Sequence, residues 1–277
     1  MIDATGTTTY AYDALARMTG KTDPGGLTQA YAYDVASQRI KLVDPDGGVR
    51  TYAYDADGHT VVFQDPTGSL TTLQYDADGQ KTTVIFGEGP RRLFVYDAAG
   101  QTTRIVEQKS AGTELASSTY TYDANGNRTG ILWGTGMRTT YQYDGRDRLT
   151  EDATSGLNTH TYDYSYDGVD NRLTCTETGN LATSTIDAAQ RPVTSVEAGV
   201  GTTTFTYDPN GNLTNVVSPD GSLITMSYDK ENRLKVHQSG ASVATYGYDG
   251  GGLKRLELVD GVATTLLWDS IDYLGEV

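Results

Sequence analysis

The chain has 277 residues, 37% apolar and 21% charged, which excludes a disordered tail and leaves room for one or two domains. Its 21 Lys and Arg against 36 Asp and Glu give a net charge of −15, which repels phosphate backbones and anionic surfaces and argues against nucleic acid or lipid headgroups as partners. Cys175 is the sole cysteine, so an intramolecular disulfide and a cysteine-held zinc or iron–sulfur centre are excluded. No stretch approaches the roughly 18 apolar residues of a membrane span. The residues after Met1, Ile-Asp-Ala-Thr-Gly, lack the basic and apolar regions of a signal peptide.

Composition is biased toward 32 Gly and 20 Tyr, against 4 Phe and 2 Trp. Tyr and the abundant Thr favour strands, Gly favours turns, and the expectation is an all-β chain. The chain is also periodic. Tyr12-Asp13, Tyr33-Asp34, Tyr54-Asp55, Tyr75-Asp76 and Tyr96-Asp97 follow one another every 21 residues. The series slips and continues at Tyr122-Asp123, Tyr143-Asp144, Tyr166-Asp167, Tyr207-Asp208, Tyr228-Asp229 and Tyr248-Asp249. Ile186-Asp187 and Trp268-Asp269 hold the same register with another bulky residue, which makes thirteen units, with insertions before 122 and 166.

Each unit reads as strand, turn, strand, turn. Pairs such as Tyr10/Tyr12, Tyr31/Tyr33, Tyr52/Tyr54, Tyr120/Tyr122, Tyr141/Tyr143, Tyr164/Tyr166, Phe205/Tyr207 and Tyr246/Tyr248 put two rings on one face of a strand. The Asp then opens a turn: its carboxylate accepts backbone N–H groups about two residues on, and Gly58, Gly100, Gly126 or Gly211 takes positive φ. A second strand, such as Arg39 to Val43 or Lys81 to Phe86, runs to another turn. Asp23-Pro24-Gly25-Gly26, Asp44-Pro45-Asp46-Gly47, Asp65-Pro66-Thr67-Gly68 and Ser218-Pro219-Asp220-Gly221 mark that turn. Two strands of five to seven residues and two short turns account for about 21 residues. The expected fold is therefore a repetitive antiparallel β-hairpin array forming a long sheet. Accumulated strand twist of roughly 20–25° per strand coils such a sheet into a spiral, with the tyrosines as a core ladder.

The unit Tyr52-Ala-Tyr-Asp-Ala-Asp-Gly58 running to Asp65-Pro-Thr-Gly68 resembles the YD or RHS repeat, with Arg-Leu after the turn at Arg148-Leu149, Arg172-Leu173 and Arg233-Leu234. The resemblance covers essentially all 277 residues. It implies a spiralling β-sheet shell that serves as scaffold and container. In bacterial Rhs proteins and insecticidal Tc toxin complexes the shell encloses a toxic C-terminal domain; in animal teneurins a similar barrel belongs to a cell-adhesion ectodomain. The implied partners are the remainder of the chain's own polypeptide, or a partner shell, with an encapsulated toxin domain. The implied location is secreted or on the cell surface, as part of a larger protein. Family toxins continue into a core that cleaves itself with aspartates in DPxG motifs. The closing segment here, Leu267 to Val277, resembles one of the last repeats before that core, so residues 1–277 are read as one YD-repeat array, a shell segment with no cargo of its own.

Candidate chemistry is weighed against turn formation. Asp23, Asp44 and Asp65 stand 21 residues apart, near the spacing of the family's aspartate motif, but repeat-phased turns give the same spacing. Asp55-Ala-Asp57-Gly58, Asp76-Ala-Asp78-Gly79, Asp123-Ala-Asn125-Gly126-Asn127 and Asp208-Pro-Asn210-Gly211-Asn212 resemble the opening of calcium loops. However, Gly falls at position four and Pro66 stands where a bidentate Glu is needed. His59, His160 and His237 are scattered and no nucleophile elbow is present. The expectation is no enzyme, no catalytic residue, no metal and no cofactor. Arg17, Arg39, Arg128, Arg148, Arg172, Arg191 and Arg233 recur in phase with the Tyr-Asp pairs and are read as partners of turn carboxylates or carbonyls. Tyrosines stacking on sugar rings give an alternative, a cell-surface module binding a glycan or a protein. The sequons Asn127-Arg-Thr129 and Asn212-Leu-Thr214 bear only on a eukaryotic secreted chain. Glu107 to Ser118, the largest insertion, is expected as a rim loop and a place for specific contact. Unpaired terminal strand edges predict edge-to-edge self-association.

Overall fold

The computed structural model describes the backbone of residues 2–3, 6–269 and 272–276 and the side chains of residues 6–268. Met1, Ala4, Thr5, Ser270, Ile271 and Val277, on which the readings of the chain ends partly rest, lie outside the described residues. Two compact units are present, one of Thr8–Thr161 and one of Met1–Thr7 with Tyr162–Val277. The described residues form strands and turns without a helix.

A two-stranded pair, β1 (Ile2–Asp3) with β2 (Gly6–Thr7), precedes the array. The Thr8–Thr161 unit carries β3 (Thr9–Tyr12), β4 (Met18–Asp23), β5 (Leu27–Tyr33), β6 (Arg39–Val43), β7 (Val49–Tyr54), β8 (Thr60–Gln64) and β9 (Leu70–Tyr75). It continues with β10 (Lys81–Phe86), β11 (Arg91–Tyr96), β12 (Thr102–Gln108), β13 (Glu114–Tyr122), β14 (Arg128–Trp133), β15 (Arg138–Tyr143) and β16 (Leu149–Ser155). Next come β17 (His160–Tyr166), β18 (Arg172–Glu177), β19 (Asn180–Ile186), β20 (Pro192–Glu197), β21 (Gly201–Tyr207) and β22 (Leu213–Val217). The last are β23 (Leu223–Tyr228), β24 (Leu234–Ser239), β25 (Ser242–Tyr248), β26 (Lys254–Val259), β27 (Val262–Asp269) and β28 (Asp272–Glu276). Each described pairing is antiparallel and joins strands consecutive in sequence, the hairpin array that the repeat predicts.

The turns opened by Asp13 through Asp249 are the same local machine in each repeat. Asp55 donates its N–H to the His59 carbonyl (3.0 Å), Gly58 donates back to the Asp55 carbonyl (3.2 Å), and the Asp55 carboxylate accepts the N–H groups of Asp57 (3.0 Å) and His59 (2.9 Å). The fourth turn residue is left-handed, as at Gly58 (φ 87°) and Gly126 (φ 88°). Where the repeat lacks Gly, another residue is forced into the same conformation: Ala16 (59°), Ser37 (65°), Asp147 (59°), Asp170 (73°), Gln190 (61°) and Asn232 (61°).

The slippage of the period has its cause at the opposite turns. Where 21 residues separate Tyr33 from Tyr54, the turn Asp44-Pro45-Asp46-Gly47 closes by the same pair of bonds, Asp44 N–H to Gly48 and Gly47 N–H to Asp44. Where only 20 separate Tyr248 from Trp268, a two-residue turn remains. Asp260 (φ 50°) and Gly261 (φ 89°) join the paired Val259 and Val262, the mirror-image turn whose twist matches the flanking strands. Thr178 (φ 45°) and Gly179 (φ 92°) do the same between Glu177 and Asn180.

One expectation is overturned. Glu107 to Ser118 is not a rim loop: β12 runs to Gln108, a turn closes from Lys109 N–H to Thr113, and β13 begins at Glu114. The extra residues lengthen the hairpin because each strand supplies the other's backbone partners, whatever their polarity.

In the Thr8–Thr161 unit the apolar face is a row of cross-strand pairs, Tyr31 with Leu42, Tyr52 with Phe63, Leu73 with Val84, Phe94 with Ile105 and Tyr120 with Ile131. Leu42 is fully buried, and Tyr31, Val84 and Ile131 are buried. Beside them lies a polar group that composition did not announce. Lys21 and Asp23 are buried as an ion pair (3.3 Å), and buried Gln29 accepts the Tyr31 hydroxyl (3.0 Å).

A left-handed residue other than Gly costs roughly 1–2 kcal/mol, of which Gly's greater unfolded-state freedom returns about 0.4–1. Ala16→Gly and Gln190→Gly should each stabilise by about 0.5–1 kcal/mol, read as a higher urea midpoint.

Candidate functional site

The Tyr-Asp rim holds the feature that distinguishes this sheet. After the turn the register shifts by one residue: Tyr33 faces Arg39, but Ala32 faces Lys41, so Ile40 bulges. The same shift recurs at all thirteen turns, the Trp268 turn included. Its effect falls on the next hairpin. The ladder between β6 and β7 ends at Lys41 with Thr51, three residues short of Tyr54, and beyond it the backbones are unbridged.

There the tyrosine hydroxyl takes over. Tyr54 donates to the carbonyl of Arg39, the first residue after the preceding turn, at 2.8 Å. Tyr33 reaches Met18, Tyr75 Thr60, Tyr96 Lys81, Tyr122 Thr102 and Tyr143 Arg128 in the same way, all at 2.7–2.9 Å. In the other unit Tyr207 reaches Pro192, Tyr228 Leu213 and Tyr248 Leu234. Trp268, in place of Tyr, gives its indole N–H to the Lys254 carbonyl (2.6 Å). At these repeats a ring spans the gap and a donor at its tip closes it, which Phe lacks; Ile186, at the same position, has neither ring nor donor. Partial burial pushes the phenols of Tyr54, Tyr96, Tyr143, Tyr207, Tyr228 and Tyr248 above their usual range.

The seven repeat-phased arginines divide into two registers. Arg17, Arg148, Arg191 and Arg233, four residues after the turn Asp, bind its carboxylate at 2.6–2.8 Å. Arg17 and Arg233 also reach the next turn, donating to the carbonyls of Asp34 (2.8 Å) and Asp249 (3.3 Å). Arg39, Arg128 and Arg172, one residue later, lie over the rings of Tyr52, Tyr141 and Tyr164 at 5.2–5.6 Å. The Arg148 hydrogen bond, helped by the Arg146 N–H, holds the Asp144 carboxyl at about 2, against an ordinary 3.8. In three repeats asparagine, Asn127, Asn171 or Asn212, replaces arginine on the turn carboxylate, and at two of them the neighbouring turn answers. Asn125 and Asn127 donate to Asp147 (2.8 and 2.7 Å), and Asn210 and Asn212 to Asn232 (3.1 and 3.0 Å). Both sequon asparagines, Asn127 and Asn212, are thus bonded along the rim.

The structure gives the proposed chemical residues local partners. Asp44 is bound by Arg50, Asp65 by the Thr67 hydroxyl and N–H groups of its own turn, and Asp23 by Lys21. His59 stacks on Tyr75 (4.7 Å) with Nδ1 3.2 Å from the Asp55 carboxylate, and His237 stands across from Met226 and Ala244. Asp55, Asp57 and His59 bring one potential metal ligand each within 4.8 Å, but both Asp55 oxygens already serve the turn. Cys175 is half-buried opposite Tyr164. No helix among the described residues is long and apolar enough to cross a membrane.

The family model described as RHS Repeat matches residues 17–49, 177–223 and 207–244, the stretches in which this turn and staple recur. These stretches carry RHS repeats. No curated protein matches it. Among solved structures it is similar to TcdB2-TccC3 without its hypervariable C-terminal region, with a TM-score of 0.57 and 15% identity over 94% of this chain and 20% of that one. It is similar also to TcdB2-TccC3 (TM-score 0.55, 15% identity, 96% and 20%) and to TcdB2-TccC3-TEV (0.52, 16%, 96% and 20%). The likeness is one of fold, and the chain spans about a fifth of their length.

Removing one staple leaves a carbonyl at a half-covered rim without its donor. Tyr96→Phe should destabilise by about 0.5–1.5 kcal/mol in urea denaturation, and Tyr10→Phe, at an exposed first-position ring, by less. Asp144 has a folded-state pKa below its unfolded one, so its stabilisation is complete above 3.8 and is lost as pH falls toward 2. Asp144→Asn should flatten that part of the urea-midpoint profile against pH. Asp147→Gly and Asn232→Gly, unlike the other turn replacements, should bring no gain, because they delete acceptors of the rim asparagines.

Proposed function

We propose that the chain is one continuous array, a wall segment of an encapsulating shell in a larger secreted or surface-associated protein, and that the shell encloses a C-terminal toxin or effector domain. The wall does no chemistry; it excludes solvent and partners from the enclosed volume. The observation that carries this reading is the staple. Where Tyr or Trp precedes the turn Asp, the preceding hairpin meets it with a backbone ladder over half its length and with a carbonyl that accepts the ring's donor beyond that, so such repeats add without leaving a gap at the rim. The RHS Repeat match and the likeness of fold to TcdB2-TccC3 support it. A glycan-binding surface needs an open aromatic stripe, whereas among the described tyrosines only Tyr10 and Tyr12 are exposed.

The test uses the whole natural polypeptide. Its coding sequence should continue in frame into a distinct domain, and that domain should resist proteinase K until urea unfolds the repeats. A downstream domain digested as fast as the same domain made alone would contradict enclosure.

A further inference from the structure

The lengthened hairpin leaves a strand edge open. β13 is nine residues long, but its pairing with β14 begins only at Ser118 with Trp133. Ser117 is closed off by the Gly134 N–H, which donates to its carbonyl at 2.7 Å. Gly134 packs so near that a Cβ there would stand 2.9 Å from the Ser117 hydroxyl. Glu114 to Ala116 therefore have a partner strand, β12, on one side only. Leu115 is passed over even by β12, whose register steps from Glu107 with Ala116 to Gln108 with Glu114.

Beside this edge lies a cavity of about 610 Å³, lined by Ile105, Leu115, Ala116, Trp133, Thr135 and Met137. Its walls are mainly apolar, Leu115 is 55% exposed, and the Trp133 indole N–H is buried without an acceptor among the described residues. The two carboxylates at its margin are committed, Glu107 to Arg92 (2.6 Å) and Glu114 to Arg104 (3.0 Å). What the site lacks is a hydrogen-bonding strand, an apolar side chain and one carbonyl oxygen.

We infer that the Glu114–Ala116 edge binds an extended peptide segment by strand addition. The peptide backbone pairs with the open edge, an apolar side chain fills the cavity against Trp133 and Met137, and the Trp133 ring turns to give its buried indole N–H to a peptide carbonyl. A saccharide would find the carboxylates already occupied and no use for a strand edge. The inference is independent of what the shell encloses.

The test begins by panning a random dodecapeptide phage library on the full chain and synthesising the enriched peptide. In ¹H–¹⁵N spectra that peptide should shift the Trp133 indole and the amides of Leu115 and Ala116 saturably, leaving the Trp268 indole in place. N-methylation of alternate peptide nitrogens should weaken binding at least tenfold, and Trp133→Phe, which keeps a ring and removes the donor, at least threefold. Leu115→Pro, which deletes an edge N–H at an exposed position, should also weaken it tenfold. No enrichment, an enriched peptide that leaves the Trp133 indole unmoved, or equal binding of the N-methylated peptide would overturn the inference. So would a saccharide that moves that indole when peptides do not.

Discussion

A hydroxyl that crosses from one hairpin to the backbone of the last one holds this sheet together where its own ladder fails. The bulge after each Tyr-Asp turn shifts the outgoing strand by a residue, and the next hairpin cannot continue the backbone register past that point. The carbonyl thereby freed needs a donor. Tyr supplies it at nearly every repeat, and Trp268 supplies it with a different atom. The bulge, the ring and the carbonyl form one device: the bulge turns the carbonyl out, the ring spans the splayed gap, and the hydroxyl closes it.

The turns make the device repeatable. Each Asp fixes its own hairpin by accepting two backbone N–H groups, so the rings that precede it leave the rim in a constant direction. The fourth position needs a left-handed residue, and the chain accepts strain there when Gly is missing. Neighbouring turns are tied by side chains that differ from repeat to repeat, arginine to a carbonyl in some and asparagine to Asp147 or Asn232 in others. A conserved geometry is thus held by exchangeable chemistry, which suits a wall built by addition.

Much of this was legible in the residues. The Tyr-Asp register gave the hairpins, Gly58 and its equivalents the turn conformation, and the Asp-Pro-x-Gly runs the opposite rim. The bulge was not legible, because the extra residue is Ile40 in one repeat, Val61, Thr82 or Arg255 in others, with no shared chemistry to mark it. The staple had a signal that went unused. The residue three before each Asp varies freely, as Tyr52, Leu73, Phe94 or Met226, whereas the residue directly before it is Tyr in all but two repeats. Packing alone would have accepted Phe there, so the restriction points to the hydroxyl. Polarity at Glu107–Ser118 points to a loop, yet a partner strand is enough to order polar residues.

The claim that the phenol protons are engaged is tested most directly by an ultraviolet titration of the tyrosines, followed together with the circular dichroism of the sheet. The staple phenols have folded-state pKa values above the ordinary 10.0, so their stabilisation is intact below that pH and is lost as pH rises through the folded values. The account predicts that a large fraction of the tyrosines stays protonated past 10 and then ionises together with the loss of the β-sheet signal. Ionisation of all of them near 10 with the sheet intact would contradict it.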